Sequence, residues 1–308
     1  MLVPQPAPGP SVQARARSTT MPPMNTLELH DGGRVPVLGL GTWRMGEDRT
    51  RHGEELAALR TAVDMGYRLF DTAEMYGEGG AESLLGEALG AALRAGEVKR
   101  EALFVVSKAY PHNAGRRSLP QACARSLQRL GLDQIDLYLL HWRGSVPLAE
   151  TVEAMRELVA AGHIRRWGVS NLDVDDLEEL AEACGDDFDC AVNQVYFSVA
   201  ERGPEHSLLP WQRARGMPLM AYSPIDQGAL AQDERLHALA QGLGVSAAQL
   251  ALAWVLSRPG TLAIPKAARA AHLADNLAAA ALSLDPQTLA QIDRLYPPPR
   301  RKTTLSMI

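Results

Sequence analysis

The feature that most constrains this chain is a repeated grammar of a short apolar strand, a polar loop and an amphipathic helix. Eight apolar stretches carry it, at residues 37–41, 68–73, 103–108, 135–141, 164–170, 191–196, 218–224 and 262–266. Their average spacing is about the thirty-odd residues of one βα unit. Strands buried on both faces of a parallel sheet read as apolar runs, as Leu137-Tyr138-Leu139-Leu140 does. The segments between them place apolar residues at helical intervals, for example Val152, Met155 and Val159, or Leu273, Leu277 and Ala280. Ser246-Ala247-Ala248-Gln249 reads as a capping box opening a helix through Trp254. Asp285 and Pro286 supply an N-cap and an N1 proline for a last helix through Leu295, after the eighth unit.

No linker or shift in composition divides the chain after residue 25. Eight strand–helix units in one undivided stretch predict an α/β fold, a single (β/α)8 TIM barrel over residues 25–308. A doubly wound sheet is the alternative; the strand count and the lack of Gly-x-Gly-x-x-Gly after the first strand weigh against it. Ahead of the barrel, Leu27-Glu28-Leu29-His30 and Arg34-Val35-Pro36-Val37 flank Asp31-Gly32-Gly33, which predicts an N-terminal β-hairpin. Residues 1–24 are rich in Pro, Ala, Gln and Ser and lack the apolar core of a secretory signal, so a disordered tail is expected. Met21 and Met24 leave a downstream start open.

A chain of 308 residues with 46 % hydrophobic content can bury a large core. Its net charge of −5 gives no reason to expect nucleic acid or an anionic membrane as partner. The longest apolar runs fall short of the ~20 residues of a membrane span, so a soluble protein is expected; a cytoplasmic location and a monomeric state are separate expectations. Cys123, Cys184 and Cys190 form no CxxC pair and no metal spacing. Cys123 lies in step with Leu127 and Leu130, and Cys184 with Leu177, Leu180 and Ala181. Both read as small core residues, with a catalytic thiol as the alternative, in a reducing compartment without disulfides.

In barrels of this kind active sites collect at the C-terminal ends of the strands. Those ends read Gly41-Thr42-Trp43, Asp71, Lys108, His141-Trp142, Ser170-Asn171, Gln194, Tyr222-Ser223-Pro224 and Pro265-Lys266. Polar groups recurring at the same end of nearly every strand make a poor core and a good site. Asp71 and Lys108 end neighbouring strands, where an ion pair satisfies both charges; alone, that is no more than a buried salt bridge. Tyr76 follows Asp71 closely. A phenol titrates near ~10, and a neighbouring ammonium stabilises the phenolate, so Lys108 is expected to lower that value and make Tyr76 a general acid. His141 is either a hydrogen-bonded core residue or, beside Trp142, a group that orients a substrate oxygen.

An acid, a phenol, a lysine and a histidine in this order resemble the catalytic tetrad of the aldo-keto reductases. Further stretches look like that family's signatures: Gly39-Leu40-Gly41-Thr42-Trp43, Phe70-Asp71-Thr72-Ala73-Glu74-Met75-Tyr76-Gly77, Leu137-Tyr138-Leu139-Leu140-His141-Trp142 and Ile164-Arg165-Arg166-Trp167-Gly168-Val169-Ser170-Asn171. Asn193-Gln194-Val195-Tyr196, Ala221-Tyr222-Ser223-Pro224 and Ile264-Pro265-Lys266 complete the set, from hairpin to last helix.

The resemblance implies NADPH-dependent reduction of aldehydes or ketones to alcohols, without metal. It implies a catalytic set of Asp71, Tyr76, Lys108 and His141. The nicotinamide would stack on Tyr222, its carboxamide held by Ser170, Asn171 and Gln194. Gly41, Thr42, Trp43 and Asp71 on one side, and Ser223, Pro224, Ile225, Gln227 and Gly228 on the other, would line the rest of the dinucleotide. Ile264, Pro265 and Lys266 would hold its far end, with His272, Asp275 and Asn276 around the adenosine. Lys266 as a point charge favours the 2′-phosphate of NADPH. Ala267 and His272 depart from the family's usual hydroxyl residue and arginine, which leaves NADH as the alternative donor. Trp43, Tyr76, Tyr110, His141 and Trp142 would surround the substrate. No long C-terminal loop is expected over the pocket. Met45-Gly46-Glu47-Asp48 and the stretch 296–303 look most like bacterial members that reduce methylglyoxal and similar short aldehydes. A Schiff-base lyase using Lys108 and a non-catalytic redox sensor on the same fold are the rival readings.

Overall fold

The computed structural model describes residues 25–308, and the expected 1–24 tail lies outside them. β1 (Thr26–Glu28) and β2 (Arg34–Pro36) pair antiparallel as the hairpin. The remaining strands are β3 (Leu40–Gly41), β4 (Leu69–Asp71), β5 (Phe104–Ala109), β6 (Leu137–Leu140), β7 (Trp167–Ser170), β8 (Asn193–Tyr196), β9 (Leu219–Tyr222) and β10 (Thr261–Ala263). These eight pair in chain order, every pair parallel. Parallel bridges Leu38↔Ala263 and Gly41↔Lys266 join the first of them to the last, and the (β/α)8 barrel closes. β3 is shorter than the expected 37–41. That stretch is nonetheless bonded along its length, Ala263 N donating to Val37 O at 2.9 Å and Gly39 N to Ala263 O at 2.8 Å.

Side chains alternate across each strand, so one set faces the barrel axis and the other the helices. Leu69, Phe104, Val106, Leu137, Leu139, Val192, Met220, Leu262 and Ile264 form the interior cluster. Leu29 and Val35 of the hairpin join it, so the hairpin seals the N-terminal end of the barrel. Phe70, Val105, Tyr138, Leu140, Trp167 and Val195 pack instead in the outer layer with the helices. Arg166 donates to Asp31 at 2.6 Å and pins the hairpin turn to the barrel floor.

Two helix starts follow their caps. Ser246 N donates to the Gln249 side chain at 2.9 Å, and Gln249 N to Ser246 Oγ at 3.1 Å, opening the helix Ala247–Leu256. Asp285 accepts from Thr288 N at 2.7 Å at the start of Pro286–Leu295. The three cysteines are free and buried, and burial pushes the Cys123 thiol up to about 12 and Cys184 to about 11. Among the described residues no single helix is long and apolar enough to cross a membrane.

Candidate active site

Two residues beyond the interior apolar layer, the same inward face turns polar. Leu69 is followed by Asp71, Val106 by Lys108, Leu139 by His141, Val192 by Gln194 and Met220 by Tyr222. A cavity of about 620 Å³ opens there, lined by Asp71, Tyr76, His141, Ser170, Gln194 and Tyr222 among others.

Lys108 is fully buried and its Nζ spends all three donors. They go to Asp71 Oδ1 at 2.6 Å, the Thr72 carbonyl at 2.9 Å and the Tyr76 hydroxyl at 3.2 Å. Three donated bonds require an ammonium, which excludes Lys108 as a resting nucleophile. Asp71 accepts on both oxygens, its Oδ2 from Gln194 Nε2 at 2.7 Å, as a carboxylate does. Burial pulls the Lys108 ammonium down, but Asp71 and Tyr76 more than offset it and its pKa ends above the ordinary value. Burial also lifts the Asp71 carboxyl, against the pull of Lys108 and Gln194.

The structure corrects one expectation. The Tyr76 phenol lies above its ordinary 10, because desolvation outweighs Lys108, and Asp71 pushes the same way. Lys108 therefore limits the rise and does not reverse it. The phenol rests protonated. Since its oxygen accepts from Lys108, its own O–H is left to point elsewhere, and Tyr76 lines the cavity.

The loop that carries Tyr76 bends through a left-handed run, Gly77 at φ 58°, Glu78 at 51° and Gly79 at 89°. It lies hard against the loop after β3. A Cβ on Gly46 would stand 2.4 Å from the Gly80 carbonyl carbon, so the approach requires glycine there. His141 meets Tyr76 edge-on at 5.7 Å and leans on Trp142 at 4.8 Å. Burial, then Lys108, hold its imidazole well below 6.5, so it is neutral. Among the described residues no group bonds its Nδ1.

On the opposite wall Ser170 Oγ donates to the Gln194 carbonyl at 2.9 Å, and Tyr222 donates to Asn171 Oδ1 at 3.0 Å. The Tyr222 ring stacks on Tyr196 at 5.9 Å. Asn171, Ser223 and Gln227 hold φ of 59°, 47° and 50°, which costs energy in non-glycine residues and shapes this rim. Pro224, Ile225 and Gly228 continue it. At the far end stand Gly41, Ile264, Pro265 and Lys266, with His272, Asp275 and Asn276 from the first two turns of the helix Ala270–Ala280. Among the described residues no carboxylate pairs with Lys266. Burial lowers its ammonium, and Arg51 and Arg44 repel it in the same direction. Lys266 stays exposed to solvent, and although Glu55 and Glu54 partly offset the two arginines, an unpaired ammonium beside Arg44 fits a phosphate group. A stacked tyrosine, paired amides and that cationic end suit a phosphorylated dinucleotide such as NADPH.

Three expected residues are not among those lining the cavity: Lys108, which reaches it only through the Tyr76 hydroxyl, Thr42 and Tyr110. Thr42 is buried, its hydroxyl on the Asp71 carbonyl at 3.0 Å, and Tyr110 sits behind Trp142 with its hydroxyl on Glu78. Conversely Arg44, Met75, Met307 and Ile308 line the cavity unforeseen. Arg44, directly after Trp43 and over its ring at 4.3 Å, was the legible one. Met307 and Ile308 carry no local signal. Lys302 on Asp175 at 3.0 Å and Ser306 on Glu201 at 2.8 Å bring the tail to the mouth, although no long loop was expected.

Three comparisons bear on this geometry. The model of the "Aldo/keto reductase family" matches residues 37–297. The chain is 47 % identical to the methylglyoxal reductase YeaE of Escherichia coli, over 89 % of this chain and 95 % of that one. It is 33 % identical to a glyoxal reductase of Bacillus subtilis, over 88 % and 92 %. A crystal structure of an aldo/keto reductase from Klebsiella pneumoniae with NADP and acetate superposes with a TM-score of 0.85 at 47 % identity, covering 92 % of this chain and all of that one. Barrel, buried lysine–carboxylate–phenol cluster and match along nearly the whole chain agree: this protein belongs to the aldo/keto reductase family.

Proposed function

We propose that this chain is an NADPH-dependent reductase that converts short aldehydes, methylglyoxal among them, to alcohols with Tyr76 as proton donor. The observation that carries the reading is the Lys108 ammonium, which spends its third donor on the Tyr76 oxygen at 3.2 Å. Bound NADPH supplies the hydride. Tyr76 supplies the proton to the carbonyl oxygen, and Lys108 steadies the phenolate left behind. Asp71 keeps Lys108 charged and in place. Neutral His141, between Tyr76 and Trp142, donates an N–H that orients the carbonyl without competing as an acid. Tyr222, Ser170, Asn171 and Gln194 orient the nicotinamide face, and Lys266 with Arg44 takes up phosphate charge. Trp43 and Trp142 wall the organic part of the substrate. The relatives named for methylglyoxal and glyoxal reduction, and the one bound to NADP, support the substrate class and cofactor.

Tyr76→Phe tests the reading. It should bind NADPH with unchanged affinity, by quenching of tryptophan fluorescence, and lose turnover by about 10²–10⁴-fold. Full activity in that variant overturns it. Specificity constants for NADH equal to those for NADPH would overturn the cofactor preference assigned to Lys266. Free, buried cysteines fit a cytoplasmic enzyme, and light scattering checks the expected monomer.

A further inference from the structure

The wall made by Tyr76, His141 and Trp142 is held from behind by two side chains that the proposed chemistry does not use. Glu78 follows Tyr76 by two residues in a left-handed conformation, φ 51°, which a non-glycine residue adopts at a cost. Its Oε1 accepts from the Tyr110 hydroxyl at 2.8 Å. The Tyr110 ring stands edge-on to Trp142, 6.0 Å between centroids and 87° between planes, and stacks on His112 at 4.8 Å. Trp142 leans on His141, and His141 meets Tyr76. The contacts therefore close a circuit, from Tyr76 through His141, Trp142, Tyr110 and Glu78 and back along the chain. It ties together the loops after β4, β5 and β6.

Glu74 adds a second stitch between two of these loops. Its Oε1 accepts from Tyr110 N at 2.7 Å and from Asn113 Nδ2 at 2.9 Å. Glu74 thus fixes the backbone of Tyr110, and Glu78 fixes the far end of its ring. Burial, then Glu78, push the Tyr110 hydroxyl up to about 12, so it remains a donor at any working pH.

We infer that Glu78 and Tyr110 form a positioning pair that sets the pose of Trp142 and so the grip of the site on the organic part of an aldehyde. An edge-on aromatic contact at a half-exposed position selects a rotamer only weakly, and tethering one ring at its hydroxyl fixes the other. The inference rests on the reductase reading, because Trp142 matters only if a carbonyl compound binds beside it. It differs from the family expectation for Tyr110, whose ring does not line the cavity. The consequence depends on substrate size. An aromatic aldehyde covers the Trp142 face, whereas methylglyoxal covers little of it.

Steady-state kinetics on phenylglyoxal and methylglyoxal test the pair. Tyr110→Phe removes one oxygen and keeps the ring packing. It should raise KM for phenylglyoxal by about 5- to 10-fold, the loss of one hydrogen bond, with kcat within about twofold and NADPH affinity unchanged. KM for methylglyoxal should move less. Glu78→Ala should reproduce the split, Glu78→Gln should restore it by keeping the acceptor, and the double variant Glu78→Ala/Tyr110→Phe should be no worse than either single one. Additive losses in the double variant, an unchanged phenylglyoxal KM, or a fall in kcat without a change in KM would each overturn the inference. Tyr76→Phe, measured alongside, separates the two readings. If it stays active, the reaction scheme fails; if it dies while Tyr110→Phe matches wild type, the positioning pair alone fails.

Discussion

Ser107 and Lys108 are neighbours on β5, and each meets a buried carboxylate. Because the strand alternates, they meet them on opposite faces. Ser107 points to the helical layer, where its hydroxyl donates to Glu82 Oε1 at 2.6 Å while Arg129 Nε donates to Oε2 at 2.6 Å. Lys108 points to the barrel axis and holds Asp71. The outer cluster is closed: both oxygens of Glu82 are used, and what remains of Arg129 reaches solvent, at 23 % exposure. The inner cluster carries a surplus, because the third donor of Lys108 holds a phenol that lines a cavity. Burial and opposite charge are common to both and therefore identify neither as a site. The distinguishing feature is a proton-bearing group attached to the pair and facing open space.

Substitutions on the two faces of β5 can break this contrast. Lys108→Met should have the largest effect. It leaves Asp71 buried without its cation, at about 3–5 kcal/mol of stability in a urea melt, and removes the support of Tyr76, so turnover falls with it. Glu82→Gln should cost about 3 kcal/mol, the lower end of the same range because Arg129 keeps its water, yet leave kcat unchanged. A fall in kcat comparable to that of Lys108→Met would erase the distinction. Ser107→Ala should cost about 1.5 kcal/mol, one bond to a charged acceptor, again without effect on kcat.

The pH dependence sharpens the inner cluster by a smaller margin. His141 is held well below 6.5 when folded, whereas in the unfolded chain it titrates near 6.5. Between those values the unfolded state binds the extra proton, so stability rises with pH there. The full contribution is present above about 6.5 and declines as pH falls below it. His141→Asn should therefore lose less stability than wild type between about pH 7 and about pH 5. On this account kcat/KM stays flat through about pH 6.5; a bend there would mean an imidazole open to water.

Much of this was legible in the chain. The barrel follows from eight apolar runs of similar spacing, and the two helix starts at Ser246 and Asp285 follow from caps that act within four residues. The polar strand ends were legible for the same reason, since strand period and loop position are local properties. Tyr110 was less so: its offset from Lys108 puts it at the mouth, but which way its ring turns depends on Glu78, in a different loop.

What the sequence alone determined is the order of elements and which residues stand at one end of the barrel, because both rest on interactions between near neighbours. Tertiary structure decided the rest. It set the net direction of the Tyr76 pKa, where burial by the surrounding elements outweighs the one cation that the sequence identified as its partner. It also brought Met307 and Ile308 to the cavity, through contacts of Lys302 with Asp175 and Ser306 with Glu201. Desolvation is a sum over everything that excludes water, and a contact across more than a hundred residues leaves no periodicity behind. Neither can be read from a chain until it has closed on itself.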